Sequence, residues 1–236
     1  MINNSNDKPL KQGYCHIPAA AMRRAASHRS EMVNQLLQGD TFDILQRETE
    51  WTLIRCHHDN YQGWVDNKQW RPDLPSEADF PQKATTVIGA SNVFGHNKDS
   101  ISDIPTSPSA VALEHYLGAP YLWGGRTVMG IDCSGLTQVC FAACGVQLPR
   151  DAWQQASKGK RIDGVPDARC DDLCFFTDRQ GKVVHVGIVL DGGRIIHASG
   201  FVRIDSLTPN GIWNAEERVF SHWNPIVRRV KIKSKA

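Results

Sequence analysis

A chain of 236 residues, 41% hydrophobic and 22% charged, has room for one or two globular domains, and it carries no internal repeat or low-complexity tract. A net charge of +2 gives no reason to expect nucleic acid or an anionic membrane as partner, and no apolar run approaches the ~20 residues that span a bilayer. The opening stretch MINNSNDKPLKQGYCHIP has no hydrophobic signal core, and seven is an odd number of cysteines, so reduced thiols and a cytoplasmic location are expected. A monomer is expected as well.

Residues 13–70 read as short strands separated by turns. Phe42 and Ile44 alternate with polar neighbours, WTLIRC occupies 51–56, and YQGWV occupies 61–65. Close spacing of such pieces predicts a small all-β barrel. Thr85–Ile88 is a candidate last strand. Prolines 72, 75, 81, 105 and 108 then punctuate a polar transition. The boundaries expected are a barrel over 1–95, a linker over 96–108 and a second domain over 109–236.

The second domain opens on a helix, AVALEHYL, ended by Gly118. The stretch YLWGGRTVMGIDCSGL follows at 121–136. Beyond it Leu136, Val139, Cys140 and Ala143 recur at helical spacing, with Gly145 as the stop and Pro149 outside. Cys133 therefore starts a helix behind a glycine-rich loop, where the helix dipole lowers a thiol pKa. The ordinary alternative is a buried structural cysteine. A short helix follows from Pro149 to Ser157. Strands at 173–177, 183–190, 195–199, 201–207 and 225–232 then predict an antiparallel sheet, so the class is α+β.

His185 and His197 lie on consecutive strands. With a two-residue loop at 192–193 they would face opposite ways. With a three-residue loop at 191–193, His197 lies opposite Gly187 and shares a face with His185. The longer loop is expected, giving a Cys–His–His constellation in which His185 is the base and His197 orients it. His185 either takes the thiol proton during attack or holds it beforehand as a thiolate–imidazolium pair. Cys140/Cys144 and Cys170/Cys174 are spaced by four, not as common zinc pairs, so no metal and no cofactor is expected. The basic residues from Arg228 onward read as the solvated end of a strand.

The motifs YLWGG (121–125), DCSGL (132–136), LPRD (148–151), DDLCFF (171–176), HVGIVL (185–190) and IIHAS (195–199) together resemble the NlpC-type cell-wall cysteine peptidases, papain-like in fold. That resemblance implies Cys133 as nucleophile, His185 and His197 as above, and Tyr121 near the nucleophile as an aid to the oxyanion. Two departures stand out. The family usually has Gly-Asp-Leu where Asp171-Asp172-Leu173 stands, and often Ser where Ala152 stands.

The N-terminal block, with GD at 39–40, W-x-x-I at 51–54 and YQGWV at 61–65, resembles bacterial SH3-like domains. HRSEMVNQLLQGD with NYQGWV resembles a dipeptidyl-peptidase VI subgroup that cleaves γ-D-glutamyl-L-diamino acid bonds. In that subgroup the barrel closes the non-primed end of the cleft. An acidic and a tyrosyl side chain there bind a free L-Ala amino terminus, which implies Glu31 and Tyr61 here. Asp132 would raise a neighbouring thiol's pKa, so its expected task is to join them on the ammonium. Ser134 and Ser199 are expected to hydrogen-bond the D-glutamyl α-carboxylate. The expected partner is a free murein peptide, cut to release L-Ala-γ-D-Glu in wall recycling. The alternative is a secreted hydrolase of intact wall, with the barrel as wall-binding module.

Overall fold

The computed structural model describes residues 11–73 and 107–232. The chain divides into two compact units, Met1–His96 and Asn97–Ala236. Among the described residues no helix is long and apolar enough to cross a membrane. The candidate strand at 85–88 and most of the expected linker lie outside the described residues.

The N-terminal unit is one antiparallel sheet. Its strands are β1 (Lys11–Cys15), β2 (Ala19–Arg23), β3 (Met32–Leu37), β4 (Thr41–Arg47), β5 (Trp51–Cys56), β6 (Gln62–Asp66) and β7 (Trp70–Pro72), in the order β3-β2-β6-β5-β4-β1-β7. Alternation decides the faces. Phe42 and Ile44 of β4 are buried while their neighbours are half-covered. Met22, Leu36, Ile54 and Val65 join them, and Trp70 meets Phe42 edge to face at 5.8 Å. Between β5 and β6 the chain turns through Asn60, whose φ of +60 is one that asparagine tolerates.

The C-terminal unit opens with helix α1 (Pro108–Val111), which runs on as a π-helical turn, Ala112–Tyr116. Ser107 is its N-cap, with Pro108 at the first helical position. Residues 107 and 108 thus belong to this unit, although the sequence pattern puts them in the linker. Ser107 Oγ also reaches the Asp171 carboxylate at 2.9 Å, and the Ser109 amide donates to it at 2.8 Å. Asp171 stands where the resembled family usually has glycine, and its φ is +69. A left-handed backbone costs an L-residue about 1–2 kcal/mol. Here the side chain offsets that cost by tying down the start of α1.

A two-stranded ribbon, β8 (Arg126–Thr127) and β9 (Gly130–Ile131), leads into α2 (Cys133–Ala143), and α3 (Ala152–Gln155) follows. The remaining strands are β10 (Lys160–Ile162), β11 (Leu173–Thr177), β12 (Val183–Leu190), β13 (Arg194–Ser199), β14 (Phe201–Thr208), β15 (Gly211–Asn214), β16 (Val219–Trp223) and β17 (Pro225–Arg229). They form an eight-stranded antiparallel sheet ordered β10-β17-β11-β12-β13-β14-β15-β16. The sheet curls, so that β16 at one end returns against β11 near the other. Helix α2 packs on β12. The three-residue loop is observed: Leu190 pairs with Arg194 and Gly187 with His197, leaving 191–193 as the turn. Gly192 and Gly193 take φ of +73 and +66 there.

Gly187 lies directly across from His197. A Cβ at Gly187 would stand 2.9 Å from the His197 Cβ and 2.8 Å from the Ile195 side chain. We expect Gly187→Ala to cost about 1–3 kcal/mol by overpacking and to displace His197. Denaturant unfolding should show the first effect. A lowered kcat in the folded fraction should show the second.

Candidate active site

The site is built on Asp132. This residue leaves β9 with extended backbone and caps α2, accepting from the Gly135 amide at 2.7 Å. The amide of Gly124 donates to its other oxygen at 2.7 Å, and Ser134 Oγ adds a weaker bond at 3.3 Å. Arg150, only 2% exposed, then clamps both oxygens with its two terminal nitrogens. Arg150 also donates to Ser134 Oγ at 2.8 Å. Behind it, Gln155 Nε2 donates to the carbonyls of Ser134 and Pro149 at 3.0 and 2.8 Å. The glycines of the motif are there for closeness. A Cβ on Gly135 would collide with the Gly125 carbonyl. Cys133 emerges at the first position of α2, its amide among those that no helix carbonyl meets.

Asp132 and Ser134 are therefore not placed as the sequence reading expects. Two backbone amides, one hydroxyl and two guanidinium nitrogens fill the lone-pair sites of the Asp132 carboxylate. Its work is to anchor the loop and the helix start, not to receive an ammonium. The Ser134 hydroxyl donates to Asp132 and accepts from Arg150.

The thiol also differs from expectation. Burial, and then the charge of Asp132, push Cys133 up to about 12, against the pull of hydrogen bonds from the Val186 and Ser134 backbone and the charge of Arg150. Burial, and then His222 and His197, push His185 well below the usual imidazole value. Both shifts favour the uncharged forms, thiol and imidazole. Burial, and then the charges of Cys133 and Asp132, also raise half-buried Tyr121, which keeps its phenol a hydrogen-bond donor.

The two expected histidines meet. His185 Nε2 and His197 Nδ1 are 2.8 Å apart. The next two members of the cluster were not singled out from the sequence. His197 Nε2 lies 3.0 Å from Asp205 Oδ2, on β14. His222, on β16, stacks on His185 with centroids 3.8 Å apart and ring planes 19° apart. A signal for Asp205 was available. Arg203 and Asp205 alternate on the strand beside His197, and Ile195–Asp205 pairing makes Asp205 its diagonal neighbour. Nothing comparable marks His222, because β15 and β16 form at the far end of the sheet. Arg150 was visible within LPRD without a role.

Nitrogens of His185, His197 and His222 fall within 4.8 Å of one another, which invites a metal. The geometry does not suit one. Nearly parallel stacked rings send their in-plane lone pairs side by side instead of toward one point, and one nitrogen pair already shares a proton. Cys56, His58 and Asp59 form a second group in the N-terminal unit, where Cys56 donates to Met22 Sδ at 3.6 Å and Asp59 accepts from the Tyr61 amide at 2.9 Å. Glu31, exposed just before β3, is ion-paired with Arg24 at 2.6 Å, and half-buried Tyr61 packs on the core of that unit. Ser199, at the end of β13, lies two residues beyond His197 on the same face.

Residues 118–221 match the NlpC/P60 family, and residues 22–69 match the bacterial dipeptidyl-peptidase Sh3 domain. A Bacillus cereus protein named γ-D-glutamyl-L-lysine dipeptidyl-peptidase is 36% identical over 241 residues, covering 78% of this chain and 72% of that one. A Bacillus subtilis protein of the same name is 41% identical over 128 residues, covering 49% of this chain and 42% of that one. Thus the chain spans less than half the length of the B. subtilis relative. Among solved structures, NlpC2 from Trichomonas vaginalis shares the fold, with a TM-score of 0.50 and 18% identity over 95% of this chain and 98% of that one.

Two outcomes are expected from the site's electrostatics. Arg150→Met leaves the Asp132 carboxylate buried without its cation, and unfolding should show a loss of about 3–5 kcal/mol. Arg150→Lys should recover only part, because an ammonium cannot span both oxygens. Burial, and then His197, push His222 from 6.5 down to about 4. The unfolded chain binds this proton first as pH falls. Stability is therefore full above the ordinary value of 6.5 and is lost toward 4. Melting temperature should drop across that window, and His222→Gln should flatten the slope.

Proposed function

The chain belongs to the NlpC/P60 family of cysteine peptidases, and from that premise we propose that it hydrolyses the γ-D-glutamyl-L-diamino acid bond of free murein peptides, releasing L-Ala-γ-D-Glu. The observation that carries this reading is the joining, in one chain, of the dipeptidyl-peptidase Sh3 domain to the NlpC/P60 domain, in a sequence that aligns over 72% of a γ-D-glutamyl-L-lysine dipeptidyl-peptidase.

In this reading Cys133 Sγ attacks the γ-carbonyl carbon while its proton passes to His185. Shifts that favour the uncharged form of both groups support transfer during attack over a standing thiolate–imidazolium pair. The oxyanion receives the amide of Cys133 and the phenol of Tyr121. The C–N bond breaks, the leaving amine takes the proton from His185, and a thioester remains. Water then gives its proton to His185 and its hydroxide to the carbonyl. Sγ departs and recovers the proton.

The amine site in this proposal is Glu31 with Tyr61, a carboxylate and a phenol oxygen that both accept from an ammonium. Asp132 is left out because Arg150 already occupies it. Arg24, paired with Glu31, is the cation the substrate displaces. Ser199 is kept for the D-glutamyl α-carboxylate. An acylated L-Ala has no ammonium, so a stem still joined to glycan is refused. That suits recycling of released peptides in the cytoplasm.

Purified protein should be offered L-Ala-γ-D-Glu-meso-diaminopimelate and the L-lysine analogue, each with a free and an acetylated amino terminus. Expected is cleavage of the free forms, at least about 100-fold faster than the acetylated ones, since acetylation leaves polar groups of the site unpaired. Cys133→Ala should abolish it. Equal cleavage of free and acetylated peptides, or of intact wall, would favour a wall hydrolase with a wall-binding barrel.

A further inference from the structure

We propose that Asp205 sets the direction of the hydrogen-bond chain Asp205–His197–His185, and so keeps a lone pair on His185 Nδ1, the nitrogen left for Cys133. It is a positioning residue, and the inference rests on reading Cys133 and His185 as the reacting pair.

The argument follows protons along the chain. An ionised carboxylate only accepts. Asp205 Oδ2, 3.0 Å from His197 Nε2, therefore requires the proton of His197 to sit on Nε2. A neutral imidazole protonated there presents a bare Nδ1. That atom lies 2.8 Å from His185 Nε2, so His185 must donate. With its proton on Nε2, neutral His185 has its lone pair on Nδ1. The thiol of Cys133 is on the adjoining element, since α2, which Cys133 begins, packs on β12, which carries His185. Reversing the first bond reverses both. His185 would then carry its proton on Nδ1 and could not accept one from Cys133.

Asp205 is itself held ionised. It is 8% exposed, and burial pushes its carboxyl up, but hydrogen bonds from His197 and Arg203 more than offset this and leave it below the usual range. Arg203 Nη2 donates to Asp205 Oδ1 at 3.1 Å and to Glu216 at 3.1 Å. Other charged and titratable groups face the chain from every side. His222 on β16 covers His185, Cys133 on α2 stands by it with Asp132 and Arg150 behind, and Arg203 and Glu216 flank Asp205. Asp205 is the anionic acceptor that ends the chain.

The test reads the tautomers directly in the full chain. Protein labelled with 15N-histidine is examined at neutral pH by long-range 1H–15N correlation, with His185→Gln and His197→Gln used for assignment. Expected are protonated Nε2 and bare Nδ1 on both His185 and His197. A proton on Nδ1 of His185 overturns the proposal. This result does not depend on any substrate, so it stands or falls apart from the peptide specificity. In Asp205→Asn the amide can donate to His197 Nε2. Expected are a shift of His185 to the Nδ1 proton and a fall in kcat of at least about 100-fold with KM within about twofold. Loss of the correct tautomer in a comparable triad costs about 10⁴. Asp205→Glu, which keeps the carboxylate, should recover part of kcat. A folded Asp205→Asn protein with kcat within about threefold of the starting enzyme overturns the proposal. If that variant does not fold, the tautomers of the unaltered protein decide.

Discussion

The buried pair of Arg150 and Asp132 is the contact on which the rest of the site depends. Two groups of opposite charge, 2% and 5% exposed, are costly to remove from water, and only bidentate geometry with added hydrogen bonds offsets that cost. Asp132 meets the condition because its oxygens also cap α2 and hold the Gly124 amide. One carboxylate thus fastens the glycine-rich loop, the helix start and the segment before α3 to one point. Cys133 sits next to that point in sequence and inherits its rigidity.

The same arrangement determines the chemistry of the thiol. A helix N-terminus favours thiolate, but a buried anion next door opposes it, and desolvation opposes it further. His185 is pushed the other way by burial and by the imidazoles on its face and edge. Both shifts oppose charge separation at rest. What the site holds is orientation: a thiol, an imidazole and a row of hydrogen-bonded groups from His185 through His197 to Asp205.

Much of the fold was legible in the residues because it follows from local rules. Alternation placed Phe42 and Ile44 inward, the 3.6 period gave α2, and counting residues across the turn tied a shared histidine face to a loop of three, 191–193. Where the pattern misled, the cause was distant in sequence. Ser107 and Pro108 look like linker until Asp171 is seen to receive Ser107, 64 residues away. The role of Asp132 was misjudged for a similar reason. Its charge and position were plain, but the guanidinium that takes both oxygens comes from beyond α2. His222 could not be found at all without the curl of the sheet.

Sequence alone therefore determined the periods, the turns and the identity of the chemical groups: a cysteine at a helix start and two histidines on paired strands. Those depend on neighbours a few residues away, through backbone sterics and side-chain alternation. Tertiary structure decided what the groups are able to do. The thiol's pKa, the partner of Asp132, the stacking of His222 and the acceptor beyond His197 all depend on burial and on charges brought together from separate strands. Coulomb and desolvation energies depend on distance in space and on access to water, and neither is written in the order of residues.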